Sequence, residues 1–227
     1  MNLNIIFQDR DILVVEKPPK VPCQSDKTND TDLISMLKKP NLRLVHRLDR
    51  PVGGIMVYAK NKKSNSNLSR QVSEHKLYKE YLAIVCGEPE NSKEELRDYL
   101  KKLRTINMSK VVEKNTRGSK EAILEYEVLE TIKTGLDGTI SLLKITLKTG
   151  RHHQIRVQLS HANLPIWGDR KYNKIFMKKK EWTQIALWSH KIGFIHPVSK
   201  QFLTFSSLPY DEYPWNIFDM NNLGKDK

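Results

Sequence analysis

The sequence predicts an α+β fold built on a mainly antiparallel, mixed β-sheet flanked by a few helices and loops. Short apolar runs of strand character outnumber helical periodicities. The two kinds also fail to alternate strictly, as they would around a parallel sheet. With 227 residues, no Gly/Ser-rich linker and no internal repeat, the chain suits a single domain over 1–227 with a substantial core.

Residues 3–7 and 12–17 read as an opening pair of strands. Residues 31–39 are a helix candidate with Leu33, Ile34 and Leu37 on one face. A Pro-Val-Gly-Gly turn precedes the unbroken apolar run 54–60, the pattern of a buried strand, and 62–74 reads as a second helix. In the strand 78–86, Tyr78 and Tyr81 stand three apart and face opposite sides, so only one can line a pocket. The run 121–130 alternates polar and apolar residues as a half-solvated strand should, and 139–148, 184–190 and 202–206 complete the strands. A third helix is expected near 152–162, with Arg151, His152 and His153 in its first turn and the stripe Ile155, Leu159, Ala162. Arg156 borders that stripe. Drawn inward, its guanidinium needs a carboxylate, because an unpaired buried charge is costly. Two adjacent histidines are expected to point different ways, which makes them poor metal ligands and leaves them able to meet phosphate.

Charge narrows the function. Lys and Arg number 39 against 26 Asp and Glu, a formal net charge of +13, which fits a polyanionic partner. The excess gathers at Lys101, Lys102 and Arg104, with Lys110, Lys114, Arg117 and Lys120 following, and again at Lys171, Lys174, Lys178, Lys179 and Lys180. No run approaches the roughly 20 apolar residues of a membrane span, and the N-terminus lacks a signal-peptide pattern, so a soluble, cytoplasmic protein is expected; a monomer is expected as well. Two distant cysteines, Cys23 and Cys86, suit reduced thiols rather than a disulfide framework. The seven histidines show no ligand spacing, which argues against a metal-dependent nuclease.

Chemistry concentrates in Leu44-Val45-His46-Arg47-Leu48-Asp49-Arg50. An acid between two arginines at a loop's edge is kept ionised by their charge and can serve as nucleophile or base; an ion-paired turn is the plain alternative. This tract resembles the His-Arg-Leu-Asp motif of the RluA-type RNA pseudouridine synthases. Further segments resemble that family in the expected order: Leu13-Val14-Val15-Glu16-Lys17-Pro18, Tyr78 to Gly87, Thr149-Gly150-Arg151-His152-His153-Gln154-Ile155-Arg156, Leu164 to Asp169, and His190 to Pro197. The chain departs from the family's usual pattern at Lys20, at Val52-Gly53, at His152 and at Gln158.

The resemblance implies an isomerase that converts uridine to pseudouridine in ribosomal or transfer RNA without metal or cofactor. It makes Asp49 the catalytic aspartate, has Tyr81 stack on the target base, and pairs Arg156 with Asp49. Arg47 would fill the gap left by the extruded base. On charge, rather than on the resemblance, Arg50, Arg151, His152, Lys101, Lys102 and Arg104 are expected to hold RNA. Many members carry an N-terminal S4 domain; a stand-alone catalytic domain is expected here. The competing reading is a catalytically silent RNA-binding protein acting in ribosome assembly.

Overall fold

The computed structural model describes residues 3–25, 30–220 and 223. These fall into two compact units, the described residues up to Glu80 with Trp188–Ser207, and those from Tyr81 to Leu187 with the described residues from Leu208 on.

In the first unit, β1 (Ile5–Gln8) and β2 (Ile12–Lys17) form an antiparallel pair. β2 runs antiparallel to β4 (Gly53–Ala59), which also pairs with the short β3 (Arg43–Leu44). β10 (Leu187–Ile195) lies parallel to β4 at Trp188 and Ser189 and antiparallel to β11 (Phe202–Ser206). Ile12, Val14, Ile55, Val57, Ile192 and Phe194 are fully buried and pack with Leu68 of α2 (Lys62–Ser73). The side chain of Asn61 caps that helix by accepting the Ser64 N–H at 2.9 Å.

In the second unit the strand order is β5-β9-β8-β6-β7: β5 (Tyr78–Cys86), β6 (Lys93–Leu103), β7 (Met108–Val112), β8 (Lys120–Thr134) and β9 (Gly138–Leu147). The contacts β9–β8, β8–β6 and β6–β7 are antiparallel. α3 (Gln154–His161) packs Val157 against Leu100 and Ala122, and Gln158 Nε2 donates to the carbonyls of Leu96 and Ala122. The mixed, mainly antiparallel sheet and few helices are the predicted α+β class.

Several element boundaries differ from the sequence reading. β6 and β7 lie in what reads as a charge cluster, because lysines and acids on the solvent face mask the inward alternation of Leu96, Asp98 and Leu100. β10 runs past His190 to Ile195 because Ile192 and Phe194 are buried, while residues 184–186 are drawn elsewhere, the Ala186 N–H donating to Trp167 O at 2.9 Å. The first helix shrinks to α1 (Leu33–Met36), capped by Asp32 and followed by Lys38 at φ 51°. α3 starts later than expected: Arg151 and His152 precede it, and His153 at φ 54° is its N-cap. The two histidines do not diverge. Their rings stack at 3.8 Å.

Candidate active site

The loop carrying Asp49 is fixed at alternate residues. His46 Nε2 accepts the Val57 N–H at 3.1 Å. Burial, then the charge of Lys79, push its pKa down to about 3 and keep the ring neutral. Leu48 is held through both backbone polar groups, its N–H reaching Cys23 Sγ at 3.4 Å while the thiol donates to its carbonyl at 3.2 Å. Cys23 is steadied in turn by Tyr58, whose hydroxyl donates to its carbonyl at 2.8 Å. The Arg50 carbonyl accepts from Lys17 Nζ at 3.1 Å. With 46, 48 and 50 tied inward, the intervening Arg47 is exposed and Asp49 half-buried. The Asp49 carbonyl closes the turn by accepting the Val52 N–H at 2.9 Å.

Lys17 supports the Asp49 loop from β2, a contact that no local spacing predicts. Its side chain is fully buried, and Nζ also donates to the carbonyls of Pro18 and Val21 at 2.9 and 2.8 Å. Desolvation brings its pKa down to about 8, against opposing attraction from Cys23 and Asp49. A lysine ending an apolar strand just before proline is the signal that could have marked it.

Gly53 and Gly54 are explained by the parallel contact with β10. A Cβ on Gly53 would lie 2.2 Å from the Trp188 ring, and one on Gly54, at φ 116°, would lie 2.3 Å from Ser189 O. Both glycines let β4 approach β10 at the foot of the Asp49 turn. Arg50 donates to Lys20 O at 3.0 Å and pairs with Asp30, so part of its charge is committed to a second acid.

In the second unit Arg156 is 4% exposed, as its place beside the apolar stripe predicts. It grips Asp169 side-on, Nε to Oδ2 at 2.8 Å and Nη2 to Oδ1 at 2.7 Å. Asp169 is itself 1% exposed and accepts the backbone N–H groups of Lys171 and Tyr172 at 2.8 and 3.3 Å. Gly168 permits this turn, since a Cβ there would meet Gln184 O at 2.2 Å. The Tyr172 ring lies under the guanidinium at 5.2 Å. Its hydroxyl takes the Ser109 N–H at 2.7 Å and meets His153 Nδ1 at 2.8 Å. Burial, then the charge of Arg156, hold His153 at about 2, so it stays neutral. Asp169 was not assigned as a partner from sequence, because pairing across 13 residues and a turn has no local signature.

Tyr81 is 6% exposed and Tyr78 36%, as expected of neighbours on opposite strand faces. Arg151 precedes α3 and donates to Glu121 O at 2.7 Å. His152 uses its ring on the β6–β7 hairpin, Nδ1 to Ser109 Oγ at 2.9 Å and Nε2 to Asn107 Oδ1 at 3.1 Å. Lys102 and Arg104 are exposed on the same hairpin and Lys101 is half-buried, directly across from Lys110.

Asp9, Asp11 and His196 of the first unit approach within 4.8 Å of one another, the grouping among the described residues that could bring three ligand atoms to a cation. The ring's tautomer opposes that use. Nδ1 accepts the Ser199 N–H at 2.9 Å, so the neutral ring carries its proton on Nε2, which faces Asp9 Oδ2 at 2.9 Å but too obliquely for a full hydrogen bond. No described helix is long and apolar enough to cross a membrane.

Comparison with known proteins identifies the family. The family described as RNA pseudouridylate synthase matches residues 11–161. An uncharacterized RNA pseudouridine synthase of Helicobacter pylori strain J99 is 32% identical over 98% of this chain and 72% of its own length. Haemophilus ducreyi tRNA pseudouridine synthase C is 29% identical over 96% of this chain and 99% of its own. Ribosomal large subunit pseudouridine synthase C of Buchnera aphidicola (subsp. Schizaphis graminum) is 31% identical over 86% and 63%. Among solved structures, human RNA pseudouridylate synthase domain containing 1 shares the fold, with a TM-score of 0.77 at 24% identity over 92% of this chain and 84% of its own. The match to the family over two thirds of the chain, together with the relative from Helicobacter, places this protein in the RNA pseudouridine synthase family, isomerases that convert uridine to pseudouridine in RNA.

Proposed function

We propose that this chain isomerises a specific uridine of structured ribosomal or transfer RNA, with Asp49 as its catalytic aspartate, and that it works as a monomeric single catalytic domain in the cytoplasm. The observation that carries the assignment is the clamp on residues 46, 48 and 50, which fixes the backbone on both sides of Asp49 and leaves its carboxylate half-exposed. A freely moving acid would lose the orientation that a reacting group needs. Relatives named for transfer RNA and for ribosomal RNA support both substrate classes.

The reaction exchanges the N1–C1′ bond of uridine for a C5–C1′ bond. A proton leaves C5 and another is taken up at N1, so no electrons are gained or lost. Asp49 attacks C1′, takes a proton from the sugar or adds to C6. The target base leaves its stack to be reached, and Tyr81 offers it an aromatic face. Arg156, buried and aligned by Asp169, supplies fixed positive charge to the reacting carboxylate, and the pairing of Arg156 with Asp49 is part of the proposal. Arg47 fills the gap left by the extruded base. Arg50, Arg151, His152, Lys101, Lys102 and Arg104 meet RNA phosphates. The register opposing Lys101 to Lys110 supports this, since facing like charges repel until an anion lies between them.

The test is release of the C5 hydrogen from uridine-labelled RNA. Asp49→Asn should release none while still binding RNA, because phosphate contacts carry affinity. Clear residual release overturns the role of Asp49. A parent protein that binds RNA and releases nothing would favour the silent RNA-binding reading.

A further inference from the structure

Residues 170–182 form a surface to which the isomerisation assigns nothing. From Arg170 to Trp182 the sequence holds six basic residues and one acid, Glu181. In the same stretch Ile175, Met177 and Trp182 are 60, 52 and 50% exposed, whereas the other three tryptophans, Trp167, Trp188 and Trp215, are at most 7% exposed. The stretch leading up to Trp182 is held to the fold. α4 (Lys174–Met177) is capped by Asn173, whose side chain accepts the Ile175 N–H at 3.0 Å and donates to Ile166 O at 3.0 Å. Phe176 is buried edge-on against Trp167, with ring centroids 5.0 Å apart, and Lys179 Nζ lies 4.3 Å from its ring centroid. Arg170 reaches forward and donates to Lys179 O at 2.8 Å. Residues 170–179, fastened at these points, present Ile175 and Met177 outward, with Trp182 three residues further on, and large exposed apolar groups ringed by charge mark an interaction surface.

We propose that this surface binds an unpaired nucleotide of the substrate RNA away from the target uridine, its base stacked on Trp182 and its flanking phosphates held by Lys178 and Lys180. The inference rests on RNA being the substrate. An indole face accepts any base, and neighbouring ammonium groups match the phosphates either side of it. The base must be unpaired, since a base stacked within a helix presents no face to an indole. An anionic membrane fits less well: a surface-lying helix lays a continuous apolar face into the lipid, and α4, with four residues, is about one turn.

Because Trp182 is the exposed tryptophan, acrylamide quenching reads its surroundings, and the Asp49→Asn protein keeps turnover out of the measurement. A short oligouridylate should protect the exposed fluorescence, and a fully paired RNA duplex should protect it less. Trp182→Leu should weaken oligouridylate binding about tenfold, within the roughly five- to hundredfold range of one lost base–aromatic stack, while Trp182→Phe keeps most of the affinity. Lys178→Gln with Lys180→Gln should flatten the salt dependence by about 1.4 units of slope. On the active protein, Trp182→Leu should raise KM and spare kcat. Unchanged quenching with oligouridylate, or parental affinity in Trp182→Leu, overturns the proposal; so does protection by phosphatidylserine vesicles but not by RNA. Release of C5 hydrogen by the parent is followed in parallel. Its absence would sink the isomerase reading and leave the quenching result standing, whereas release with unchanged quenching sinks the surface alone.

Discussion

Asp169→Asn tests whether the buried side-on pair sets the orientation of Arg156. The carboxylate accepts four hydrogen bonds, at 2.8 and 2.7 Å from Arg156 and at 2.8 and 3.3 Å from the backbone of Lys171 and Tyr172. An asparagine can keep its oxygen where Oδ1 lies and so retain the two backbone bonds and one from Arg156. Its amide then faces Arg156 Nε, donor against donor, and the guanidinium, 4% exposed, loses the charge of this partner. Breaking one side of a buried pair costs about 3–5 kcal/mol, and the retained bonds place this case near 3. In urea the midpoint should fall at unchanged m, and the melting temperature should drop by about 6–12 °C for a chain of this size. At a temperature where the variant is folded, kcat should fall tenfold or more, with RNA affinity nearly kept. Arg156→Lys should do the same more mildly, because an ammonium lacks the two-pronged fork. The double variant should lose less than the sum of the singles by at least about 1 kcal/mol. If Asp169→Asn unfolds within about 1 kcal/mol of the parent and the cycle shows no coupling, the pair does not hold the arginine.

Lys17 gives a pH-dependent expectation. Its folded pKa of about 8 lies below the ordinary 10.5, so the folded chain releases this proton first. Between those values the parent should gain stability over Lys17→Met by about 1.4 kcal/mol per pH unit. Over the same range turnover should fall as the ammonium that grips the Arg50 carbonyl is lost. Denaturant titrations of both proteins at pH 8 and pH 10 check this, and parallel curves would refute it. Replacing Lys101, Lys102 and Arg104 together by Gln should flatten the plot of log K against log salt by about two to three units and leave turnover at saturating RNA intact. An unchanged slope would make the hairpin's charges a solvated face.

Local pattern determined most of the strands and the motif that names the family. A buried strand needs an apolar run, and β2, β4 and β5 each have one. Asp49 between two arginines, Tyr81 opposite Tyr78 and Arg156 beside its apolar stripe were legible because each depends on a spacing of four residues or fewer. The β6–β7 hairpin was not, since its alternation is overwritten by charges that only solvent explains. The supports of the candidate site were hidden for a different reason. Lys17 reaches the Arg50 carbonyl across 33 residues, Cys23 reaches Leu48 across 25, and Asp169 meets Arg156 across a turn. A buried cation is tolerable only where the fold has gathered carbonyls or a carboxylate around it, and that gathering is a property of the tertiary structure. The sequence determined which reactive groups the chain carries and at what spacing; the folded chain decided which of their neighbours hold them still.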